Sequence, residues 1–147
     1  HRKLIEDGLE HIVPYDAGIT KIINSKKEEK EWQTIDVWRE SKNHGLECKF
    51  KDTNIILQGG IDDVWLNKKT KELIVVDYKS QASPKEVSQD TYFDKSGYHG
   101  SYKTQLDFYA YLMKGMNLEY GISDDSYLYV VNGLDVEEGF NAEIKIL

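Results

Sequence analysis

The ten residues Glu72–Gln81, ELIVVDYKSQ, decide how this chain reads. Leu73 to Val76 form the apolar run of a strand buried in a sheet, yet Asp77 and Lys79 follow at once. Strand side chains alternate with period two, so Leu73, Val75, Asp77 and Lys79 share one face and Ile74, Val76 and Tyr78 the other. An acid and a lysine therefore project together from the end of a buried strand. Upstream, Gly59-Gly60 permits a bulge or the close approach of another backbone, and Asp62 and Asp63 follow it. If that segment is the neighbouring strand, one of these two acids faces the same side as Asp77. Two carboxylates brought together at a sheet end repel, at a cost on the order of several kcal/mol unless a cation compensates them. A hard divalent cation does so economically, because Mg²⁺ takes one or two carboxylates and fills its octahedron with water and substrate phosphate. With Lys79 alongside, the arrangement suits phosphodiester hydrolysis: the metal acidifies a water, and the lysine orients the nucleophile or stabilises the pentacovalent phosphorus. The plainer reading is an Asp77–Lys79 ion pair at a strand end. An acid two residues before a lysine recurs elsewhere, Glu28, Glu47 and Glu143 being examples, so the triplet alone does not discriminate.

The surrounding pattern predicts an α/β fold. Leu4, Ile5, Leu9 and Ile12 suggest a short amphipathic helix over residues 1–12, stopped by Pro14. The charged stretch from Lys26 to Glu31 reads as a solvated face or loop. Leu46, Cys48 and Phe50 alternate with charged residues, the pattern of a half-exposed strand. Residues 55–66 and 72–79 read as two longer strands joined at the polar turn Asn67 to Lys71, hence a hairpin. From Ser80 to Ser101 a long polar loop is expected, of the kind that carries function or disorder. Tyr102, Leu106, Tyr109, Leu112, Met113 and Met116 recur at helical intervals. Residues 126–133 form a last core strand, with a turn at Asn132 and Gly133. The expected order is α-β-β-β-α-β, a mixed central sheet flanked by helices.

Composition bounds the function. At 147 residues and 39% hydrophobic, the chain suffices for one domain over residues 1–147 that buries roughly two thirds of its unfolded surface. It begins at His1 and ends in the strand-like AEIKIL, so it reads as a fragment whose partners include further domains of the same protein. No run of 18 apolar residues and no signal sequence is present, so no membrane span is expected and the cytoplasm is the default compartment. Cys48, the only cysteine, excludes an internal disulfide framework, a four-cysteine zinc site or an iron–sulfur cluster, and is expected to pack as a small core residue. Nineteen basic against 26 acidic residues, a net charge of −7, argue against nucleic-acid binding by bulk electrostatics but leave local patches and a metal open.

GGIDDVW, then VVDYKS, then QLDFYAYLM on a helix, resembles the nuclease domain of the PD-(D/E)XK superfamily, and its RecB-like exonuclease branch in particular. The resemblance covers residues 45–131 and implies a restriction-endonuclease-like core. It implies Asp62, after Gly59 and Gly60, as the first metal-binding acid, and Asp77 and Lys79 as the acid and lysine of the family name. It also implies the Tyr78 carbonyl as a metal ligand, and Gln105 and Tyr109 as residues that line the site and place the lysine or the nucleic-acid strand. Ile61 stands where the family name has proline. A further ligand from the first helix is implied, for which His1, Glu6 and Glu10 are candidates and His1 fits the usual position best. Asp63 replaces Asp62 if a bulge shifts the register, although the family's spacing from glycine to acid favours Asp62. The cofactor implied is Mg²⁺ or Mn²⁺, and the substrate DNA, single- or double-stranded.

His11, His44 and His99 have no ligand spacing with one another, which argues against zinc. Tyr92, Phe93, Tyr98 and Tyr102, interleaved with Lys85, Lys95, His99 and Lys103, read either as stacking platforms for a single strand or as ordinary loop packing. Two functions stand: a metal-dependent DNA nuclease, or a non-catalytic nucleic-acid-binding or scaffolding domain that retains the nuclease fold.

Overall fold

Leu73, Ile74, Val75 and Val76 are each at most 2% exposed, as a strand covered on both faces requires. The computed structural model describes residues 2–23, 26–42, 44–82, 88, 100–133 and 142–146. Within them the chain runs α1 (Arg2–Glu6), β1 (Ile12–Pro14), β2 (Ile19–Ile23), β3 (Glu29–Gln33), α2 (Thr34–Arg39), β4 (Leu46–Lys49), β5 (Ile56–Gly59) and β6 (Asp63–Asn67). It continues through β7 (Glu72–Gln81), α3 (Gly100–Lys114), β8 (Gly121–Ile122), β9 (Tyr127–Gly133) and β10 (Ala142–Ile146). The central sheet has the order β1-β6-β7-β9-β10, with β8 on the first residues of β7. It is mixed: β7 pairs antiparallel with β6 and parallel with β8 and β9. Among the described residues no helix is long and apolar enough to cross a membrane.

The two faces of this sheet have separate cores. Val64, Leu73, Val75, Leu128 and Val130 pack with Leu106, Leu112 and Met113 of α3 on one face. Trp65, Ile74 and Val76 pack with Leu4 of α1 and Ile12 on the other. Register explains the division, since Val64 faces Val75 and Trp65 faces Ile74 across the β6–β7 pair. The turn between these strands is where the sequence places it. The Asn67 side chain accepts hydrogen bonds from the Lys69 and Thr70 amides at 3.0 and 3.2 Å, an Asx turn that fixes the register. Cys48 is buried, as expected of a small core residue.

Several expectations need correction. Residues 55–66 are two strands in two sheets: β5 pairs with β4, and β6 with β7. The break falls at Gly60–Asp62 because α2 captures that segment, the Ile61 amide donating to the Trp38 carbonyl at 3.0 Å. The helix expected over residues 1–12 ends at Glu6; Gly8 takes a left-handed φ of 72°, and Ile12 joins the sheet edge opposite Asn67. Pro14 is tolerated as the last residue of that edge strand. The charged stretch from Lys26 to Glu31 is solvent-exposed as expected, but from Glu29 it enters β3, a strand of a β2–β3 hairpin in which Lys21 faces Glu31. Asn132 and Gly133 are not a turn; both remain in β9, paired with Glu143 and Ala142. The element order is therefore longer than α-β-β-β-α-β. The start of the expected loop from Ser80 is strand to Gln81, and residues 83–87 and 89–99 lie outside the described residues.

Three glycines mark close approaches of β5 and the residues after it to the end of α2, to residue 45 and to α3. A Cβ on Gly60 would lie 2.6 Å from the Ser41 Cβ and 3.0 Å from the Arg39 carbonyl oxygen, and one on Gly45 would lie 2.7 Å from the Gly59 oxygen. A Cβ on Gly59 would press on the Tyr109 ring at 3.1 Å. Gly60→Ala should accordingly destabilise the protein by about 1–3 kcal/mol through overpacking. Gly121→Ala, whose new Cβ would meet nothing closer than 4.0 Å, should stay within about 0.5 kcal/mol of the parent. Urea unfolding midpoints measure both.

Candidate active site

Asp62 lies one residue before the Asp63–Val76 pair, so the β6–β7 register sets it opposite Asp77. Both side chains then project to the face covered by α3, and their carboxyl groups come within hydrogen-bonding reach of each other. Strand β6 has ended at this point, leaving the edge of β7 open. The Tyr78 amide donates to Asp62 Oδ2 at 2.9 Å in place of a ladder hydrogen bond. In an extended strand the N–H and C=O of one residue point to the same side, so the Tyr78 carbonyl also faces this gap.

Lys79, two residues on, stands beside them. Its Nζ is 2.5 Å from Asp77 Oδ2, 3.3 Å from Gln105 Oε1 and 4.3 Å from the centre of the Tyr102 ring. Gln105 in turn donates through Nε2 to the Tyr109 hydroxyl at 3.0 Å. Helical spacing puts Tyr102, Gln105 and Tyr109 on one side of α3, so the helix presents an anion-like face to the ammonium. The structure thus brings together Asp62, Asp77, Lys79, Gln105 and Tyr109. It adds Tyr102, which the sequence suggests as the start of the helical stripe, as loop packing or as a stacking platform, but not as a partner of Lys79. The relevant signal was its place one turn before Gln105.

Asp63 goes elsewhere. It is only 8% exposed on the opposite face and accepts hydrogen bonds from the Val64 amide at 2.8 Å, the Trp65 indole at 3.2 Å and the Tyr78 hydroxyl. Arg39 of α2 completes this cluster, 3.3 Å from Asp63 Oδ1. Its carboxylate is consumed, which leaves Asp62 as the acid that faces Asp77. Arg39 carried no signal in the sequence, being 23 residues from Asp62. His1 lies outside the described residues. Glu6 and Glu10 are exposed near α1, whose Leu4 packs on the face away from Asp77, so the structure does not bring them to it. Of the proposed stacking platform, Tyr92, Phe93, Tyr98, Lys85, Lys95 and His99 also lie outside the described residues.

The electrostatics are those of a site short of positive charge. Burial and the neighbouring Asp62 raise Asp77 to about 6, against the lowering effect of Lys79. Burial lowers Lys79, but Asp77 outweighs it and the ammonium is held above its ordinary value. Asp77 Oδ2 is buried without a hydrogen bond, its contact with Lys79 being an ion pair that lacks hydrogen-bond geometry. Such an oxygen, beside a second carboxylate and a carbonyl on an open strand edge, fits a small hard cation. No group of three or more His, Cys, Asp or Glu side chains gathers among the described residues. A cation here would therefore draw its remaining ligands from that carbonyl and from water.

The shift of Asp77 has a sign. Because its folded value lies above the ordinary 3.8, the metal-free protein loses stability as pH rises through about 6, and the penalty is absent below about 4. Asp77→Asn should stabilise the protein in chelator at pH 8 by about 2–3 kcal/mol. The difference should vanish near pH 4, as thermal melts at the two pH values will record.

The model of the PD-(D/E)XK nuclease superfamily matches residues 3–139. No curated protein and no solved structure matches the chain. Members of that superfamily typically use divalent metals, in keeping with two facing carboxylates and an adjacent lysine on a mixed sheet. The chain belongs to the PD-(D/E)XK nuclease superfamily.

Proposed function

We propose that this domain is a divalent-metal-dependent nuclease that hydrolyses phosphodiester bonds of DNA, acting within the RecB-like exonuclease branch. The observation that carries the reading is the convergence of Asp62, Asp77 and Lys79 on one sheet face, with a buried Asp77 oxygen lacking a hydrogen bond. Residues 1–147 act as one nuclease domain in this reading. The order Gly59-Gly60, Asp62, Asp77, Lys79, Gln105 and Tyr109 supports the branch.

Asp62, Asp77 and the Tyr78 carbonyl would hold Mg²⁺ or Mn²⁺, which when bound offsets phosphate charge and acidifies a coordinated water. Lys79 supplies the positive charge that the chain itself contributes. Its ammonium, held by Gln105 and Tyr102, is placed to donate to a phosphate oxygen and to offset the charge that grows as phosphorus becomes pentacovalent. Tyr109 keeps Gln105 turned toward Lys79, so the amine has a second acceptor besides Asp77.

Incubation with single- and double-stranded DNA tests the proposal. Cleavage should require Mg²⁺ or Mn²⁺ and stop in chelator. Asp62→Asn, Asp77→Asn and Lys79→Ala should each lower the rate by about 10²-fold or more. Lys79→Ala should still bind Mn²⁺ by calorimetry, whereas Asp77→Ala should not. Intact DNA of both kinds after incubation with folded, metal-saturated protein would instead assign the domain a binding or scaffolding role.

A further inference from the structure

The cluster on the far face of the sheet does something the facing carboxylates need. Asp62 precedes the first residue of β6, so the strand ladder does not hold it, and its aim depends on what fixes its own peptide. Arg39 does this directly: its Nε donates to the Asp62 carbonyl oxygen at 2.6 Å. The same guanidinium donates through one terminal nitrogen to Asp63 at 3.3 Å and through the other to Asp36, one turn earlier on α2, at 3.2 Å. Arg39 therefore staples α2 to the Asp62 carbonyl and to the Asp63 side chain. A planar fork suits this task, since three directed hydrogen bonds leave one group in fixed relative geometry.

Asp63 extends the staple to the next strand. Its Oδ2 accepts from the Tyr78 hydroxyl, while the Tyr78 amide donates to Asp62 Oδ2 at 2.9 Å. Tyr78 is thus tied at both ends to the same pair of acids, through its backbone on one face and its ring on the other. The ring is 44% exposed and rests edge-on against Tyr129 at 5.5 Å, so packing alone does not immobilise it. The residues tied in this way are those whose carboxylate and carbonyl face the open edge of β7.

We infer that Arg39 and Asp63 are positioning residues, a brace on the reverse side of the sheet that fixes the Asp62 peptide and Tyr78 so that the Asp62 carboxylate and Tyr78 carbonyl converge on Asp77. The brace touches neither substrate nor cation and acts only through these two residues. Partners that orient ligands in this way commonly govern metal affinity by about 10–100-fold. The inference rests on the proposed metal site for its effect on activity, but its geometric content does not.

Two measurements separate them. In the metal-free protein, Arg39→Gln should speed amide hydrogen exchange at Tyr78 at least about tenfold while leaving Val75 and Val76 in the same strand protected. In Mn²⁺ titrations of binding and DNA cleavage, Arg39→Gln and Asp63→Asn should raise the Mn²⁺ concentration needed by about tenfold or more, with kcat recovering at saturating Mn²⁺. Arg39→Lys should not rescue, because an ammonium cannot span the Asp62 carbonyl and two carboxylates together. Tyr78→Phe removes only a hydroxyl from a half-exposed ring, and should shift the Mn²⁺ requirement in the same direction even if the charge variants fold poorly. Unchanged exchange at Tyr78 in Arg39→Gln, or an unchanged Mn²⁺ requirement in Tyr78→Phe, overturns the brace while leaving the nuclease reading intact. If the parent neither binds Mn²⁺ nor cleaves DNA, the nuclease reading fails, and the exchange measurement alone decides the brace.

Discussion

Two carboxylates face each other where β6 ends and β7 goes on, and the structure around them is arranged to tolerate that repulsion. Asp77 is buried, only 4% exposed. Lys79 offsets part of the charge from within the same strand, and α3 supplies the glutamine and the tyrosine ring that keep the ammonium from leaving. The remaining imbalance shows in the raised protonation range of Asp77. A fold selected for stability alone would not keep an ionised pair of acids here. Stability lost at a site is commonly the sign that the site has another use.

The two faces of the central sheet divide the work. The face under α3 holds the charged groups that converge, and below them the apolar cluster of Val64, Val75, Leu112 and Leu128. The reverse face carries the hydrogen-bonded group of Asp63, Tyr78, Trp65 and Arg39. Period-two alternation makes this possible: adjacent residues 62 and 63 serve opposite faces, and residues 77 and 78 do the same. A slip of one residue in the β6–β7 register would exchange the two roles, burying Asp63 against α3 and turning Asp62 away. The Asx turn at Asn67 sets that register, and the glycine crossing at Gly59-Gly60 ends the ladder at the required place.

Much of this was legible in the sequence because it depends on local periodicity. The alternation in residues 73–79 placed Asp77 and Lys79 on one face, the turn at Asn67 to Lys71 was marked by its polar residues, and the spacing from Tyr102 to Met116 marked α3. The run 55–66 misled because its apolar pattern is the same whether it forms one strand or two. What divides it is the Trp38 carbonyl, more than twenty residues upstream, taking the Ile61 amide. The β2–β3 hairpin was obscured for the opposite reason: its β3 strand is wholly exposed, and a strand that buries nothing leaves no hydrophobic period to read.

The choice between Asp62 and Asp63 shows where the boundary lies. Sequence alone determined that one of two adjacent acids must share a face with Asp77 and Lys79, since alternation is a property of any strand. Only the tertiary structure decided which one, because register depends on where β6 stops and on which hydrogen-bond donors surround each carboxylate. Asp63 meets an indole, a phenol and a guanidinium, from Trp65, Tyr78 and Arg39, whereas among the described residues Asp62 meets the Tyr78 amide, another acid and, at longer range, the Lys79 charge. Trp65 is local to Asp63, but Tyr78 and Arg39 come from the neighbouring strand and from a helix distant along the chain, and nothing in the local order of residues encodes their meeting.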